Sequence, residues 1–471
     1  MSDVDITSKE MDGMGPKGTK IGLARVLGPA HVWALGVGIV LVGEYMGWNF
    51  SVGKGGAYAA LIACWFAGIL YSCVAMIDSE VTSTVAAAGG QYTQAKHIVG
   101  PLMAFNVGLY LVFAYTMLEA ANAITFGFLI ETVAGMTGHE GLDQRPFIVL
   151  AIMFLAWLNY RGVLATLTFN LVITAIAFIA IIVLFLATSP IFGASPLRHV
   201  ELMTGLPYGW LGVLAAMHFG LWYYLGIEGT CQAAEEVRSP ARSLPFGTLA
   251  GIMTLLIAAS LTWYVCVGLI PWEYLGQAGV PLFDAARLTG STTLMILLGI
   301  GTMFATLASA NGCINDASRA WFAMGRDHYL PDWFGAVHPT FRTPYRSIIF
   351  LVPIALIFAL GAPIDQVITF SILSGLLEYT FMPLNVIMFR RKWPLDSIRR
   401  GYEHPFHPIP ALVLLSLCGV TYFAVFLGYG TQLVAMISFY IIVSLWFHFW
   451  RYRFVRRGAQ FTMPWPRPLG Y

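Results

Sequence analysis

The chain has 471 residues, of which 58% are hydrophobic and 11% are charged, and its formal net charge is +2. A soluble domain carries about 25% charged and about 45–50% apolar residues, so this composition excludes a water-soluble globule. The small net charge gives no indication of a nucleic-acid partner, and an integral membrane protein is predicted.

The apolar residues are grouped into long runs. Residues 1–30 are predicted to form a polar tail, because they lack the apolar segment of a signal peptide. Twelve runs of about 20 residues follow, which is the length that a membrane-spanning helix needs. Their approximate centres are Val40, Ala67, Tyr115, Phe154, Ala177, Phe219, Ala258, Met303, Ile354, Leu377, Cys418 and Tyr440. The sequence therefore predicts an all-α membrane protein with twelve spans.

Basic residues orient these spans, because they are enriched in cytoplasmic loops. All of the 26 Lys and Arg residues except four fall on one side of the predicted bundle. The four on the other side are Lys54, Arg145, Arg198 and Arg287. We therefore expect a multi-pass protein of the cytoplasmic (inner or plasma) membrane with both termini in the cytoplasm, in contact with the lipid bilayer.

Two spans contain glycines next to an acid. In span 1 the segment 36–49 has four glycines and Glu44, and in span 6 the segment 219–229 contains Gly226 and Glu228. Glycines also allow helices to pack closely, which is the alternative interpretation. Interruptions five spans apart are typical of inverted-repeat transporters. The predicted repeats are 31–190 and 205–395 within a core of 31–395, followed by spans 11 and 12 (396–452) and a cytoplasmic tail (453–471).

Six motifs in order over about residues 31–395 resemble those of amino acid–polyamine–organocation permeases. They include Gly89-Gly90-Gln91-Tyr92 with Gly100-Pro101, Leu158-Asn159-Tyr160-Arg161-Gly162, the span-6 segment from Leu221 to Glu228, Glu235-Glu236 with Pro240 and Pro245, and Met324-Gly325-Arg326-Asp327. The first-span pattern Gly43-Glu44-Tyr45 with Gly47-Trp48-Asn49 is most similar to the ethanolamine permease branch.

The resemblance implies a five-plus-five inverted repeat of the LeuT type with two additional C-terminal helices. It also implies alternating access, with the substrate between unwound parts of spans 1 and 6. Val42, Gly43 and Glu44 match the unwound part of span 1. Trp222 matches an aromatic lid that closes over the substrate, Tyr223 and Leu225 match substrate-lining positions, and Glu228 matches an acid that the family often has.

Glu44 distinguishes this sequence from the small residues that are common there. A resident carboxylate competes with a substrate carboxylate for helix N-terminal amides, and it attracts cations. We therefore expect a small organic amine or cation, similar to ethanolamine, and Tyr45 is a candidate for cation–π contact together with Trp222 and Tyr223. The alternative is a symporter or exchanger of zwitterionic or cationic amino acids.

Other polar residues inside spans are candidates for further roles. A buried acid is costly in a membrane, so Glu119 is a candidate for substrate binding, and Glu228 and Glu378 are candidates for proton coupling. Thr306 and Ser309 place hydroxyl groups three residues apart in span 8, where they are candidates for a sodium site. The coupling ion is open between proton and sodium.

No motif indicates an enzyme. The sequence lacks HExxH, GxSxG and the GxxxxGK[ST] phosphate-binding loop, and its six cysteines lack metal-ligand spacing. A secondary active permease without cofactor or metal is therefore predicted.

Overall fold

The computed structural model describes residues 23–139, 141–189, 206–398 and 400–455. Most of the two predicted tails, and the junction between the predicted repeats, lie outside these ranges. In the described residues, an isolated β bridge joins Leu27 to Val237, and nearly all regular structure is helical. The predicted all-α class is therefore confirmed.

The first half of the chain forms five spans. Span 1 is divided into the helices Pro29–Val40, Val42–Met46 and Trp48–Gly55. Spans 2 to 5 are Ala57–Thr84, Pro101–Met136, Arg145–Arg161 and Val163–Thr188. A short helix, Gly90–Ile98, connects spans 2 and 3.

The second half begins with a broken helix. Span 6 consists of Gly209–Gly220 and the 3-10 turns Leu221–Tyr223 and Ile227–Cys231. Spans 7 to 10 are Pro240–Leu269, Thr292–Arg326, Tyr345–Gly361 and Ile364–Lys392. The connections contain the short helices and turns Ala234–Glu236, Trp272–Leu275, Pro281–Leu288 and Asp332–Gly335. The helix Ile409–Phe449 is followed by the turn Arg451–Phe454.

The last long helix contains two spans. Tyr429 has non-helical dihedral angles (φ −139°, ψ 35°) in the middle of Ile409–Phe449. Tyr429 lies 5.1 Å from Lys54 Nζ at the end of span 1, whereas Phe447 stacks on Phe105 at the start of span 3 with 4.0 Å between ring centroids. The chain therefore turns back at Tyr429, which separates spans 11 and 12.

All twelve predicted centres lie in these helices. Nine helices in the described ranges are long and apolar enough to cross a membrane, and the last of them contains two spans. Spans 4 and 9 are shorter, at 17 residues each. In the most apolar stretch of spans 1, 6 and 10, 78% of residues are buried, compared with 33% in the last helix. Spans 1, 6 and 10 therefore form the centre of the bundle, and spans 11 and 12 lie at its lipid-facing edge.

One end of the bundle is held together by ion pairs. Arg319 pairs with Glu236 at 2.7 Å, and both side chains are buried. Outside this pair, Arg326 contacts Glu235 at 3.0 Å, and Lys96 contacts Asp327 at 2.8 Å. This end is called the basic face below. The other end, which carries Lys54, Arg145 and Arg287, is called the opposite face.

Glu80 joins span 2 to the connection between spans 10 and 11 on the basic face. Its buried carboxylate accepts hydrogen bonds from Arg390 at 2.5 Å and from Arg400, and it lies 2.5 Å from His404 Nδ1. The backbone N–H of His404 also donates to it at 3.0 Å. A single carboxylate is therefore shared by two guanidinium groups in a largely buried position.

We predict that Glu80→Gln destabilises the protein by about 3–5 kcal/mol, because it removes the buried carboxylate that Arg390 and Arg400 share. The measurement is the apparent melting temperature of the purified protein in detergent. Asp332→Asn is the control, since Asp332 is an exposed partner of His328 and its loss costs under about 1 kcal/mol. Equal melting temperatures for wild type and Glu80→Gln would contradict the prediction.

Candidate functional site

The two interrupted spans differ in how far they are broken. In span 6, Gly226 has φ +111°, a conformation that L-residues rarely adopt, and a Cβ at this position would overlap Ile39. In span 1 the interruption is shorter than predicted. Leu41 and Gly47 keep right-handed dihedral angles, and the residues between them form the one-turn helix Val42–Met46. Val42, Gly43 and Glu44 therefore lie in a short helix between two kinks.

The two breaks touch through their backbones. A Cβ on Gly43 would lie 2.7 Å from the carbonyl oxygen of Trp222 and 3.3 Å from Cα of Tyr223. Only a residue without a side chain allows this approach. The structure thus brings Gly43 and its neighbours Val42 and Glu44 together with Trp222 and Tyr223.

Glu44 is the unusual group at this contact. Its side chain is fully buried, and neither carboxylate oxygen has a hydrogen-bond partner among the described residues. Its nearest electrostatic neighbours include Cys64 and Tyr224, and Tyr223 on the partner break, none of which is a cation. Because an unpaired buried charge is strongly destabilising, this carboxyl is stable when it is protonated or when a cation accompanies it.

A cavity of about 520 Å³ on the opposite face ends at Trp222. Its lining includes Asn49, Phe50, Phe128 and Arg145. The Trp222 side chain is buried, its indole N–H has no partner among the described residues, and its ring lies 5.9 Å from that of Phe50. The cavity is lined both by Trp222 and by Met46, the last residue of the short helix that carries Glu44, and the Trp222 carbonyl lies beside Gly43. Trp222 therefore borders both the cavity and the contact between the two breaks.

Three other predicted binding residues have partners elsewhere. The Tyr45 hydroxyl donates to the Ala177 carbonyl in span 5 at 2.7 Å. The Tyr223 hydroxyl lies 2.5 Å from Ser51 Oγ, and its ring stacks on Trp48 at 4.2 Å. Leu225 packs against span 10, where a Cβ on Gly375 would lie 2.9 Å from its side chain. These contacts position the breaks rather than leaving the side chains open to a ligand.

The two predicted sodium ligands make different contacts. Ser309 donates to the Ile39 carbonyl of span 1 and accepts from Asn122 Nδ2 at 2.6 Å. Thr306 donates to Met303 in its own helix at 2.8 Å. Of these two side chains, only that of Ser309 connects span 8 to span 1, and its hydroxyl already donates a hydrogen bond to the Ile39 carbonyl. In the neighbouring span 3, Glu119 is buried and its Oε1 has no partner among the described residues.

Glu228 belongs to a hydrogen-bonded group that the sequence did not reveal. Its carboxylate accepts from Tyr379 at 2.8 Å, from Tyr115 at 3.1 Å and from the Gly226 N–H at 3.2 Å. Spans 3, 6 and 10 therefore meet at one carboxylate. The tyrosines in the middle of spans 3 and 10 could have indicated such a group in the sequence, because a buried hydroxyl needs a hydrogen-bond partner. Glu378, also a predicted coupling residue, is buried and its carboxylate has no partner among the described residues.

Below Glu228, the basic face is closed. Glu236 follows the span-6 break and makes both of its hydrogen bonds to Arg319, at 2.7 and 3.1 Å. Burial raises the pKa of the Glu236 carboxyl above its ordinary value, and the Arg319 guanidinium opposes that rise. The Leu27–Val237 bridge joins the chain before span 1 to the chain after span 6. The described conformation is thus closed on the basic face and carries its cavity on the opposite face.

The sequence matches a family model over nearly its whole length. The model is described as amino acid permease, and the match covers residues 27–469. The chain belongs to the amino acid permease family. This family is part of the amino acid–polyamine–organocation superfamily, so the resemblance found in the motifs is confirmed, and so is the prediction of a permease rather than an enzyme.

Relatives of this permease are transporters. One from Rhizobium meliloti (strain 1021), named an uncharacterized transporter, is 78% identical over 97% of this chain and 98% of its own. A methylthioribose transporter of Bacillus subtilis is 26% identical over 91% of this chain and 97% of its own. A branched-chain amino acid permease of the same organism is 23% identical, with 84% of each chain covered. The permease is therefore a multi-pass membrane transporter.

We predict that Gly43→Ala destabilises the permease by about 1–3 kcal/mol, because the new methyl group meets the Trp222 backbone, which cannot move aside as a flexible side chain can. The measurement is the apparent melting temperature in detergent. Gly419→Ala is the matched control, since Gly419 is exposed and has open space around its Cβ position. A Gly43→Ala protein as stable as the control would refute the close contact between the breaks.

Proposed function

We propose that this permease is a secondary active transporter for a small organic amine or cation similar to ethanolamine. It works by alternating access, with the repeats 31–190 and 205–395 forming the moving core and the basic face in the cytoplasm. The substrate binds between the breaks of spans 1 and 6, next to Gly43, Glu44 and Trp222. The basic composition of the closed face supports this orientation.

One observation carries the substrate class. Glu44 is a buried carboxylate without a hydrogen-bond partner among the described residues, and it lies where the two breaks meet. An ammonium group supplies up to three donors and a positive charge, which satisfies both oxygens at once. A substrate carboxylate at the same position would instead meet a like charge. The site thus favours amines that lack a carboxylate.

Aromatic rings complete the proposed site. Trp222 borders the breaks, and its indole N–H, which has no partner in the part of the chain that the structure describes, is available to a substrate hydroxyl. Its ring face offers a cation–π contact of about 0.5–2 kcal/mol to an ammonium group. The two groups of a compound such as ethanolamine, an ammonium and a hydroxyl, therefore both find complementary partners in this site.

Amino acid transport is the second candidate. It is favoured by the family description and by the relative named a branched-chain amino acid permease. The relative named a methylthioribose transporter points to a third kind of substrate, so the names of relatives do not select one class. Under this alternative, the carboxylate of the substrate requires Glu44 to be protonated during transport.

We predict that Glu44→Gln lowers ethanolamine uptake at low substrate concentration by roughly 30-fold or more, because a charge-assisted hydrogen bond worth about 2 kcal/mol is lost. Uptake of labelled ethanolamine into proteoliposomes measures the effect. Glu273→Gln is the control, since it makes the same change at an exposed acid on the opposite face.

Competition separates the two candidates in the same assay. The amine proposal requires unlabelled ethanolamine to displace the label better than zwitterionic amino acids. Uptake by Glu44→Gln at the wild-type rate, or displacement by leucine but not by ethanolamine, would overturn it.

For coupling, we propose that protons act through Glu228. Three donors surround its carboxylate at the contact of spans 3, 6 and 10, so a proton change there affects all three helices. The sodium alternative needs the Ile39 carbonyl and the Ser309 hydroxyl as ligands, but these two groups are hydrogen-bonded to each other. Glu378 lies within electrostatic range of Glu228 and is the second proton candidate.

We predict that Glu228→Gln abolishes the stimulation of uptake by an inward proton gradient, because an amide, unlike a carboxyl group, does not gain or lose a proton near neutral pH. Counterflow without a gradient should persist, since it needs substrate binding but no net proton movement. Both are measured in proteoliposomes, with potassium replacing sodium as a second condition. Loss of uptake on sodium removal, with proton stimulation intact in Glu228→Gln, would exclude this coupling.

A further inference from the structure

A second cavity on the opposite face lies outside the proposed substrate site. It has a volume of about 260 Å³ and lies between the first half of span 6 and the turn that separates spans 11 and 12. Its lining includes Lys54, His218 and Tyr429, together with Leu211 and Leu427. None of these residues takes part in the contact between the two breaks.

The charge in this cavity is a single cation. Lys54 is exposed, and its ammonium group lies 5.1 Å from the ring centre of Tyr429 and 5.9 Å from that of Phe219. No carboxylate pairs with Lys54 among the described residues, whereas Arg287 on the same face pairs with Asp284 at 3.5 Å. The two rings hold the ammonium group at the cavity without neutralising it.

A buried polar atom also lines the cavity without a partner. His218 donates to or accepts from Thr369 through Nε2 at 3.2 Å, but its Nδ1 has no partner among the described residues. The side chain is 1% exposed, so bulk water does not reach it freely. An imidazole nitrogen and an ammonium group in one small cavity suit an oxygen-rich anionic group.

The remaining lining is apolar and faces the lipid. Leu211, near the start of span 6, and Leu427, beside the turn between spans 11 and 12, are 70% and 58% exposed. In a bilayer these side chains contact acyl chains. The cavity therefore has a cationic end near the membrane surface and an apolar side open to the hydrocarbon region, which is the polarity of a phospholipid.

We propose that this cavity binds one anionic phospholipid from the leaflet at the opposite face. Its phosphate group lies at Lys54 and His218, and an acyl chain runs along Leu211 and Leu427. The bound lipid also adjoins the lid, since Phe219 stacks on Phe50 at 4.9 Å and Phe50 contacts Trp222. The proposal is independent of the substrate and of the coupling ion.

The test is native mass spectrometry of the full-length protein in detergent, titrated with phosphatidylglycerol or phosphatidylcholine. We expect Lys54→Gln to weaken the first phosphatidylglycerol binding step about fivefold, which corresponds to about 1 kcal/mol for one basic residue. Phosphatidylcholine binding should be unchanged. Arg287→Gln is the matched control, because it removes a basic residue from the same face away from the cavity.

A second variant tests the acyl-chain path. Leu427→Trp fills the apolar side of the cavity and should weaken phosphatidylglycerol binding without changing the charge. Equal phosphatidylglycerol affinities for wild type, Lys54→Gln and Leu427→Trp would overturn the proposal. Full displacement of the lipid by inorganic phosphate would also overturn it, since the site would then recognise a free anion rather than a phospholipid.

Discussion

The hydrocarbon core of a membrane offers no hydrogen-bond partners, yet this chain breaks a helix at its centre. The exposed polar groups must be satisfied by the protein. Glu228 meets this requirement for span 6, because its carboxylate accepts the Gly226 N–H at the break and ties it to Tyr115 and Tyr379. Gly43 contributes differently, because its lack of a side chain lets the backbones of spans 1 and 6 approach each other closely. This contact places Glu44 and Trp222 next to each other.

Against this background of satisfied groups, the unsatisfied ones stand out. Glu44, Glu119 and Glu378 are buried carboxyls with at least one unpartnered oxygen among the described residues. They differ from Glu80 and Glu236, whose oxygens are bound by arginines that hold helices together. The contrast separates acids that are paired with arginines from acids with an oxygen that has no partner among the described residues. The membrane makes this distinction sharp, since an unpaired charge there cannot be screened by water.

The sequence predicted the twelve spans, because hydropathy depends on local composition and the membrane fixes the length of each helix. It also placed the break of span 6, since Gly226 next to Glu228 is a local signal, but in span 1 it predicted an unwound segment where Val42–Met46 is a short helix between two kinks. It did not predict that Tyr115 and Tyr379 bind Glu228, because these residues are far apart in the chain and meet only after packing. Likewise, Tyr45 is adjacent to Glu44 in sequence but points to span 5, since neighbours on a helix face different directions. The two apolar centres near the end of the chain indicated two spans, but only the folded structure shows that these spans separate at Tyr429.

The two faces of the described conformation are held by different forces, so they differ in their response to dissolved salt. The basic face is held by ion pairs, of which Arg326–Glu235 and Lys96–Asp327 are partly exposed and hence weakened by dissolved salt. On the opposite face, the rings of Trp222 and Phe50 contact each other beside the cavity, and charge screening by salt hardly affects such an apolar contact. Added salt therefore weakens the contacts of the basic face more than those around the cavity.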